Sequence, residues 1–215
     1  MTFNDFNFKE QLQKAIDHAG FKEPSPIQAE AIPIVLQGKD MVGQAHTGTG
    51  KTAAFGLPVI NMMKGQQGVE AVVIVPTREL AMQVSDELFR FGKNLNFNTA
   101  TVYGGQSYSM QLRNIDRSSI IVATPGRFLD LLRGGKINIK PSYVILDEAD
   151  EMLDMGFLDD IKEIFTFLPK ERQTLLFSAT MPMAIKKLAQ TILKEPEFVT
   201  LTKKDVTNSK ITQTY

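Results

Sequence analysis

The sequence predicts an α/β domain, with a mostly parallel central sheet of about seven strands and helices on both faces. Three features predict it. Short apolar, β-branched runs recur along the chain, segments with apolar residues three and four apart lie between most of them, and chemically active residues crowd the positions just after the runs. Strands that are apolar on both sides need helices over both faces, which is the arrangement of open parallel sheets. In such sheets ligands bind outside the carboxyl ends of the strands, so chemistry is expected there.

A helical pair comes first, over Lys9–Ala19 and Pro26–Leu36. Between them Gly20–Ser25 stops one helix, and Pro26, pre-set to a helical φ, opens the next. The runs expected as strands are Asp40–Gln44, Ala71–Val75, Thr99–Tyr103, Ile120–Ala123, Tyr143–Leu146, Thr174–Ser178 and Phe198–Leu201. Leu80, Val84, Leu88 and Phe91 share one helical face, as do Ile161, Ile164, Phe165 and Leu168, and Ile185, Leu188 and Ile192. Residues 1–35 read as helices belonging to the same domain as the body over 36–202. The tail is polar and basic, has no pattern that closes a second core, and reads over 203–215 as the start of an interdomain linker.

Composition narrows the class. The 215 residues carry 24 basic and 24 acidic side chains, with 43% apolar positions, which suits a globular chain with a sizeable core. No run approaches the roughly 18 to 20 apolar residues of a membrane span, and MTFNDFNFKE lacks the pattern of a signal peptide. With no cysteine and only His18 and His46, a disulfide framework and a thiolate metal site are excluded. A cytoplasmic protein is expected. Zero net charge argues against holding nucleic acid by bulk attraction. Locally, Asn61–Lys140 has ten basic and six acidic residues, net +4, whereas Pro141–Lys170 has two basic and eight acidic, net −6.

Ala45-His46-Thr47-Gly48-Thr49-Gly50-Lys51-Thr52 follows a strand and opens a helix, the context a phosphate-binding loop requires. Glycines let backbone N–H groups turn around phosphate oxygens, Lys51 can reach the β and γ phosphates of a nucleotide, and Thr52 can bind Mg²⁺. Ala45 stands where this motif usually begins with glycine, and His46 reads as a solvated loop residue. Mg²⁺ prefers oxygen ligands and needs an acidic partner to Thr52. The apolar strand Tyr143–Leu146 delivers Asp147 for that purpose, and Glu148 can orient and deprotonate an attacking water. Lys51, Asp147 and Glu148 are thus the candidate catalytic residues.

Asp147-Glu148-Ala149-Asp150 spells the motif for which DEAD-box RNA helicases are named, and the chain resembles the first, RecA-like domain of that family along nearly its whole length. The other motifs stand in family order: Gly20-Phe21-Lys22-Glu23-Pro24-Ser25-Pro26-Ile27-Gln28, similar to the Q motif, then Ala45–Thr52, Pro76-Thr77-Arg78-Glu79-Leu80-Ala81, Gly104-Gly105, Thr124-Pro125-Gly126-Arg127 and Ser178-Ala179-Thr180. DEADEMLDMGF, from Asp147 to Phe157, further resembles the bacterial cold-shock and RNA-degradation type.

The resemblance implies ATP and Mg²⁺ as cofactors and RNA as partner. The Gln28 amide offers a donor and an acceptor that suit the N7 and N6 edge of adenine and mismatch the O6 of guanine. By resemblance Phe21 stacks on adenine, while Phe3 is either a second aromatic of that pocket or a core residue. Thr77, Arg78, Gly104, Gly105, Thr124, Pro125, Gly126 and Arg127 would form the RNA edge. With Thr124 as N-cap and Pro125 at the first helical position, free N–H groups would meet phosphate and sugar, giving sequence-independent binding. Asp150, Ser178 and Thr180 would couple the nucleotide site to that edge.

The arginine-rich motifs of the family's second RecA-like domain do not occur, and no Arg follows Arg172. An arginine finger contributes about 10³ to 10⁵ in rate, so the chain alone is expected to bind nucleotide, hydrolyse it slowly and not unwind RNA. The alternatives are an ATP-dependent RNA clamp or partner-binding module, against which Glu148 argues, and a DNA-directed translocase, against which the Q-like motif argues.

Overall fold

A computed structural model describes residues 1–201; the linker expected over 203–215 lies outside the described residues. Seven strands form one sheet, β1 Met41–Gln44, β2 Ala71–Ile74, β3 Thr99–Val102, β4 Ile120–Ala123, β5 Tyr143–Leu146, β6 Gln173–Ser178 and β7 Glu197–Thr200. Their order is β3-β4-β2-β5-β6-β1-β7, and every pairing is parallel. The expected strands are all present, with ends shifted by a residue at most.

Helices connect them: α1 Glu10–His18, α2 Pro26–Leu36, α3 Lys51–Met62, α4 Arg78–Gly92, α5 Tyr108–Ile115, α6 Pro125–Arg133, α7 Ala149–Asp154, α8 Leu158–Phe167 and α9 Met183–Ile192. Side chains alternate across each strand, and the five inner strands feed two cores, whereas the edge strands β3 and β7 each bury one face. Val73, Ile145, Leu175 and Phe177 join one core with Leu12, Ile32, Phe55, Val84, Leu88 and Phe91 from α1 to α4. Val72, Ile74, Val144, Leu146 and Leu176 join the other with Phe128, Ile161, Ile164, Ile185 and Leu188 from α6, α8 and α9. This double burial explains why the strands read as unbroken apolar runs. Among the described residues no helix is long and apolar enough to cross a membrane.

The sheet order sets what stands beside what at the carboxyl edge. From β1 across β6, β5, β2 and β4 to β3, the segments leaving the strands are Ala45–Thr52, Ser178–Thr180, Asp147–Asp150, Thr77–Arg78, Thr124–Arg127 and Gly104–Gly105. Adjacent strands lie about 4.8 Å apart, so β4 stands about 19 Å from β1. The acidic turn after β5 lies between the two.

Candidate functional site

The loop before α3 is shaped by two glycines in the left-handed region, Gly48 at φ 77° and Gly50 at φ 90°. Gly50 is the N-cap of α3 and sits so near Gln28 that a Cβ there would lie 2.4 Å from Gln28 Nε2. Its carbonyl takes the first helical N–H, from Ala54, leaving the amides of residues 51–53 as the open donors of a helix N-terminus. The loop is braced from within, Thr49 Oγ1 donating to His46 O at 2.7 Å, and from α2, Ser25 Oγ donating to Thr49 O at 2.8 Å. His46, Thr47 and Gly48 are exposed, whereas Ala45 is buried.

Lys51 is 5% exposed and spans the inside of this loop. Its Nζ donates to Glu148 Oε1 at 2.7 Å and to Ala45 O at 3.2 Å, and lies 3.9 Å from Asp147 Oδ1. Both carboxylates are buried as well, at 3% for Asp147 and 5% for Glu148. The backbone turns from β5 into α7 on Glu148 itself, at φ 55° and ψ 52°. That conformation costs a non-glycine residue about 1 to 2 kcal/mol, and it is stabilised by Glu148 N–H donating to Asp147 Oδ1 at 3.0 Å.

Burial pushes the Asp147 carboxyl up to about 7; Lys51 pulls against this, while the Glu148 charge adds to it. One lysine therefore does not compensate two buried carboxylates. Glu87 of α4 adds negative potential to Asp147, and burial raises its own pKa, offset in part by the Thr52 hydroxyl and Arg90. Hard oxygen donors with uncompensated negative charge, Asp147 beside the Thr52 end of the loop, fit a divalent cation such as Mg²⁺.

Gln28 is 4% exposed and bonded at both ends of its amide. Its Oε1 accepts from Ser25 N–H at 2.8 Å, closing a capping box on α2, and its Nε2 donates to Gly50 O at 3.1 Å. An amide carries two donors and two acceptor lone pairs, so one of each is left for a ligand. Phe21 is half-buried, its ring 5.6 Å from Phe3 and 6.1 Å from Phe91 between centroids. Phe3 is 2% exposed and supports Phe21 from behind.

On the far half of the edge Thr77 caps α4, accepting from Leu80 N–H at 3.2 Å. Thr124 occupies the N-cap position of α6 and Pro125 its first turn, as expected, but the Thr124 hydroxyl makes no capping bond. Gly104, Gly105 and Gly126 have nothing within 4 Å of a notional Cβ, so a ligand backbone can approach them closely. Arg78 lies over the Tyr103 ring at 4.8 Å, and Arg127 over the Tyr108 ring at 4.4 Å. Gln106 joins the two sets, its amide donating to Tyr103 Oη and its carbonyl accepting from Arg127 Nη1 at 2.8 Å. Arg127 Nη1 also donates to Gln111 Oε1 at 3.1 Å.

Asp150 ties the acidic turn to the end of β6. Its Oδ2 accepts from Thr180 N–H and Thr180 Oγ1, both at 2.8 Å, and its own N–H donates to Ser178 Oγ at 3.1 Å.

A family model described as DEAD/DEAH box helicase matches residues 25–188. The chain belongs to the DEAD/DEAH box helicase family. It is 55% identical over 216 residues to the DEAD-box ATP-dependent RNA helicase RhpA of Helicobacter pylori (strain B128), and 49% identical over 218 residues to CshA of Bacillus subtilis (strain 168). Each alignment takes in all of this chain and 44% of the relative, so the chain spans less than half the length of these curated proteins. A DEAD box protein from the hyperthermophile Methanococcus jannaschii superposes with a TM-score of 0.91 at 42% identity, covering 93% of this chain and 56% of that one.

Within this helicase domain, sequence reasoning missed Glu87, Tyr103, Gln106, Tyr108 and Gln111. Glu87 reads as one more charge on an amphipathic helix. The other four surround the two edge arginines, and only proximity across separate loops identifies them.

Proposed function

We propose that this chain is the ATP-binding first domain of an RNA helicase and that its carboxyl edge binds Mg·ATP on one half and the backbone of RNA on the other. The observation that carries this reading is the placement of Lys51, Asp147 and Glu148 together at the phosphate loop, with Asp150 bonded onward to the strand between them. The similarity to RhpA and CshA, both ATP-dependent RNA helicases by name, supports it.

On this reading the open amides of the loop and Lys51 hold the β and γ phosphates, which requires Lys51 to exchange its bond to Glu148. Glu148 is released by that exchange to accept a proton from the attacking water. Thr52 and Asp147 would hold Mg²⁺, which when bound supplies positive charge to the phosphates and to the two buried carboxylates. The free donor and acceptor of Gln28 read adenine, with Phe21 beneath the ring. Thr77, Arg78, Gly104, Gly105, Thr124, Pro125, Gly126 and Arg127 take RNA phosphate and sugar, so binding is independent of base sequence. Asp150, Ser178 and Thr180 are the proposed coupling set, Asp150 tying the acidic turn to the end of β6 on the nucleotide side of β5.

Unwinding is proposed for a longer protein in which a second RecA-like domain closes on this edge, with residues 203–215 leading towards it. The cytoplasm is proposed as its compartment, on the cysteine-free composition. The deciding experiment is an equilibrium titration of the chain with Mg·ADP and Mg·GDP. Preference for ADP supports the reading, whereas equal affinity for both leaves a generic phosphate-loop protein.

A further inference from the structure

Two cations converge on one exposed tyrosine outside the motifs of the RNA edge. Arg127 at the start of α6 lies 4.4 Å from the Tyr108 ring centroid, and Lys136, beyond the other end of α6, brings its Nζ to 5.8 Å. Lys136 returns to this ring because the chain reverses after the helix on Gly134 and Gly135, the latter at φ 60°, with Lys136 N–H donating back to Leu131 O at 3.0 Å. Among the described residues neither cation has a carboxylate partner within 4 Å. Two cations within 6 Å of one ring centroid and without an acid partner leave positive potential at this site, which favours an anion.

The geometry also limits how Arg127 can meet that anion. Both hydrogens of its Nη1 are spent on Gln106 O and Gln111 Oε1, and the Tyr108 ring covers a face of the guanidinium. What remains for a ligand is the Nε–Nη2 edge, the fork that matches two oxygens of one phosphate. Gln111 is fully buried, so the fork is rigidly aimed. Tyr108 and the adjoining Met110 are 40% and 51% exposed, leaving room for a strand to pass.

We propose that Tyr108 is a positioning residue for Arg127 and Lys136, and that Lys136 binds the phosphate next to the one held by Arg127, extending the contact with single-stranded RNA by one nucleotide. This rests on the reading of the carboxyl edge as the RNA site. The ring spaces and steadies both cations, at an exposed site where such a contact changes affinity only a few-fold.

The test is the affinity of the chain for a fluorescein-labelled oligouridylate at several KCl concentrations, comparing the parent with Lys136→Ala, Tyr108→Leu, Tyr108→Phe and Arg78→Ala. Lys136→Ala should weaken binding about three- to fivefold and make the slope of log affinity against log salt shallower by about 0.7, the value for one single-strand phosphate. Tyr108→Leu should weaken binding by a similar factor, and Tyr108→Phe, which keeps the ring, should restore it. A purely structural role would leave the salt slope unmoved. Loss in Arg78→Ala with no change in Lys136→Ala or its slope overturns the extension and leaves the RNA edge intact. Equal losses in Tyr108→Phe and Tyr108→Leu overturn the positioning role. No change in any of the four variants overturns the RNA edge itself.

Discussion

Lys51 Nζ and Glu148 Oε1 form a buried ion pair at 2.7 Å, joining the start of α3 to the second residue after β5. Removing one partner of such a pair usually costs about 3 to 5 kcal/mol, because the other charge is left uncompensated in a low-dielectric site. Here Asp147 Oδ1, 3.9 Å from the same ammonium, remains as a second partner. Asp147 can hold Lys51 but not Glu148: phosphate oxygens that take Lys51 leave the Glu148 carboxylate buried without its cation, so the exchange needs positive charge from a bound cation or a proton on Glu148.

Glu148→Gln follows directly. The amide keeps the shape and cannot act as a base, and it removes one buried negative charge that opposes phosphates. Nucleotide affinity is expected to rise several-fold, while ATP hydrolysis by the full-length protein falls by at least about 10². Isothermal titration with Mg·ADP and steady-state hydrolysis measure the two effects; retained hydrolysis would remove Glu148 from the base role.

Gln28→Ala removes a capping-box acceptor and the bond to Gly50 O together. Loss of the cap should lower stability by about 1 kcal/mol. The adenine preference should collapse, so that ADP and GDP bind alike. Gln28→Glu keeps the acceptor to Ser25 N–H but sets a buried carboxylate oxygen against Gly50 O, so it should lower both the melting temperature and the preference. Recovery of both in that variant would assign the Gln28 effect to helix capping alone.

Most of the fold was legible because both faces of the sheet are covered. Runs such as Ile120–Ala123 and Tyr143–Leu146 lie in strands packed on each side, and a short, uninterrupted β-branched run between turn residues is the pattern such a strand requires. The Ala45–Thr52 loop and the turn after β5 were readable as candidate motifs for a similar reason, since each is contiguous in sequence. What stayed hidden is what the sheet order assembles from distant segments. Nothing in the spacing of Glu87 places it beside Thr52, and nothing local to Tyr108 brings Arg127 or Lys136 onto its ring. The left-handed backbone at Glu148 was equally hidden, because glutamate carries no sequence signal for that conformation.

Gly50 and Gly48 should respond differently to alanine although both have positive φ. At Gly48 a Cβ meets nothing within 4 Å, so the cost is the left-handed conformation alone, about 1 to 2 kcal/mol. At Gly50 the same cost is joined by a clash with Gln28 Nε2 at 2.4 Å. Gly50→Ala should lower the melting temperature more than Gly48→Ala and should disturb Gln28, weakening ADP more than GDP. Thermal melts with paired titrations test this, and equal effects of the two substitutions would contradict the coupling between Gln28 and the loop.

Asp150 supplies the pH-dependent link. Burial alone would raise its pKa, but the hydrogen bonds from Thr180, Ser178 and Ala179 outweigh burial and leave it below the ordinary value. A carboxyl whose folded pKa is depressed contributes stability above the unfolded value of about 3.9, and that contribution is lost as the pH falls through this value and below it. The site is only partly buried, so screening holds the contribution to about 1 kcal/mol, or about 2 to 4 °C in a domain of this size. Asp150→Ala should therefore melt a few degrees below the parent at every pH from 5 to 7, and the gap should narrow as the pH falls below about 4. Differential scanning fluorimetry across that range reads it. A gap that stays constant as the pH falls below about 4 would mean that Asp150 acts through packing rather than through its charge, and the bonds to Thr180 would then carry no electrostatic coupling between the acidic turn and the end of β6.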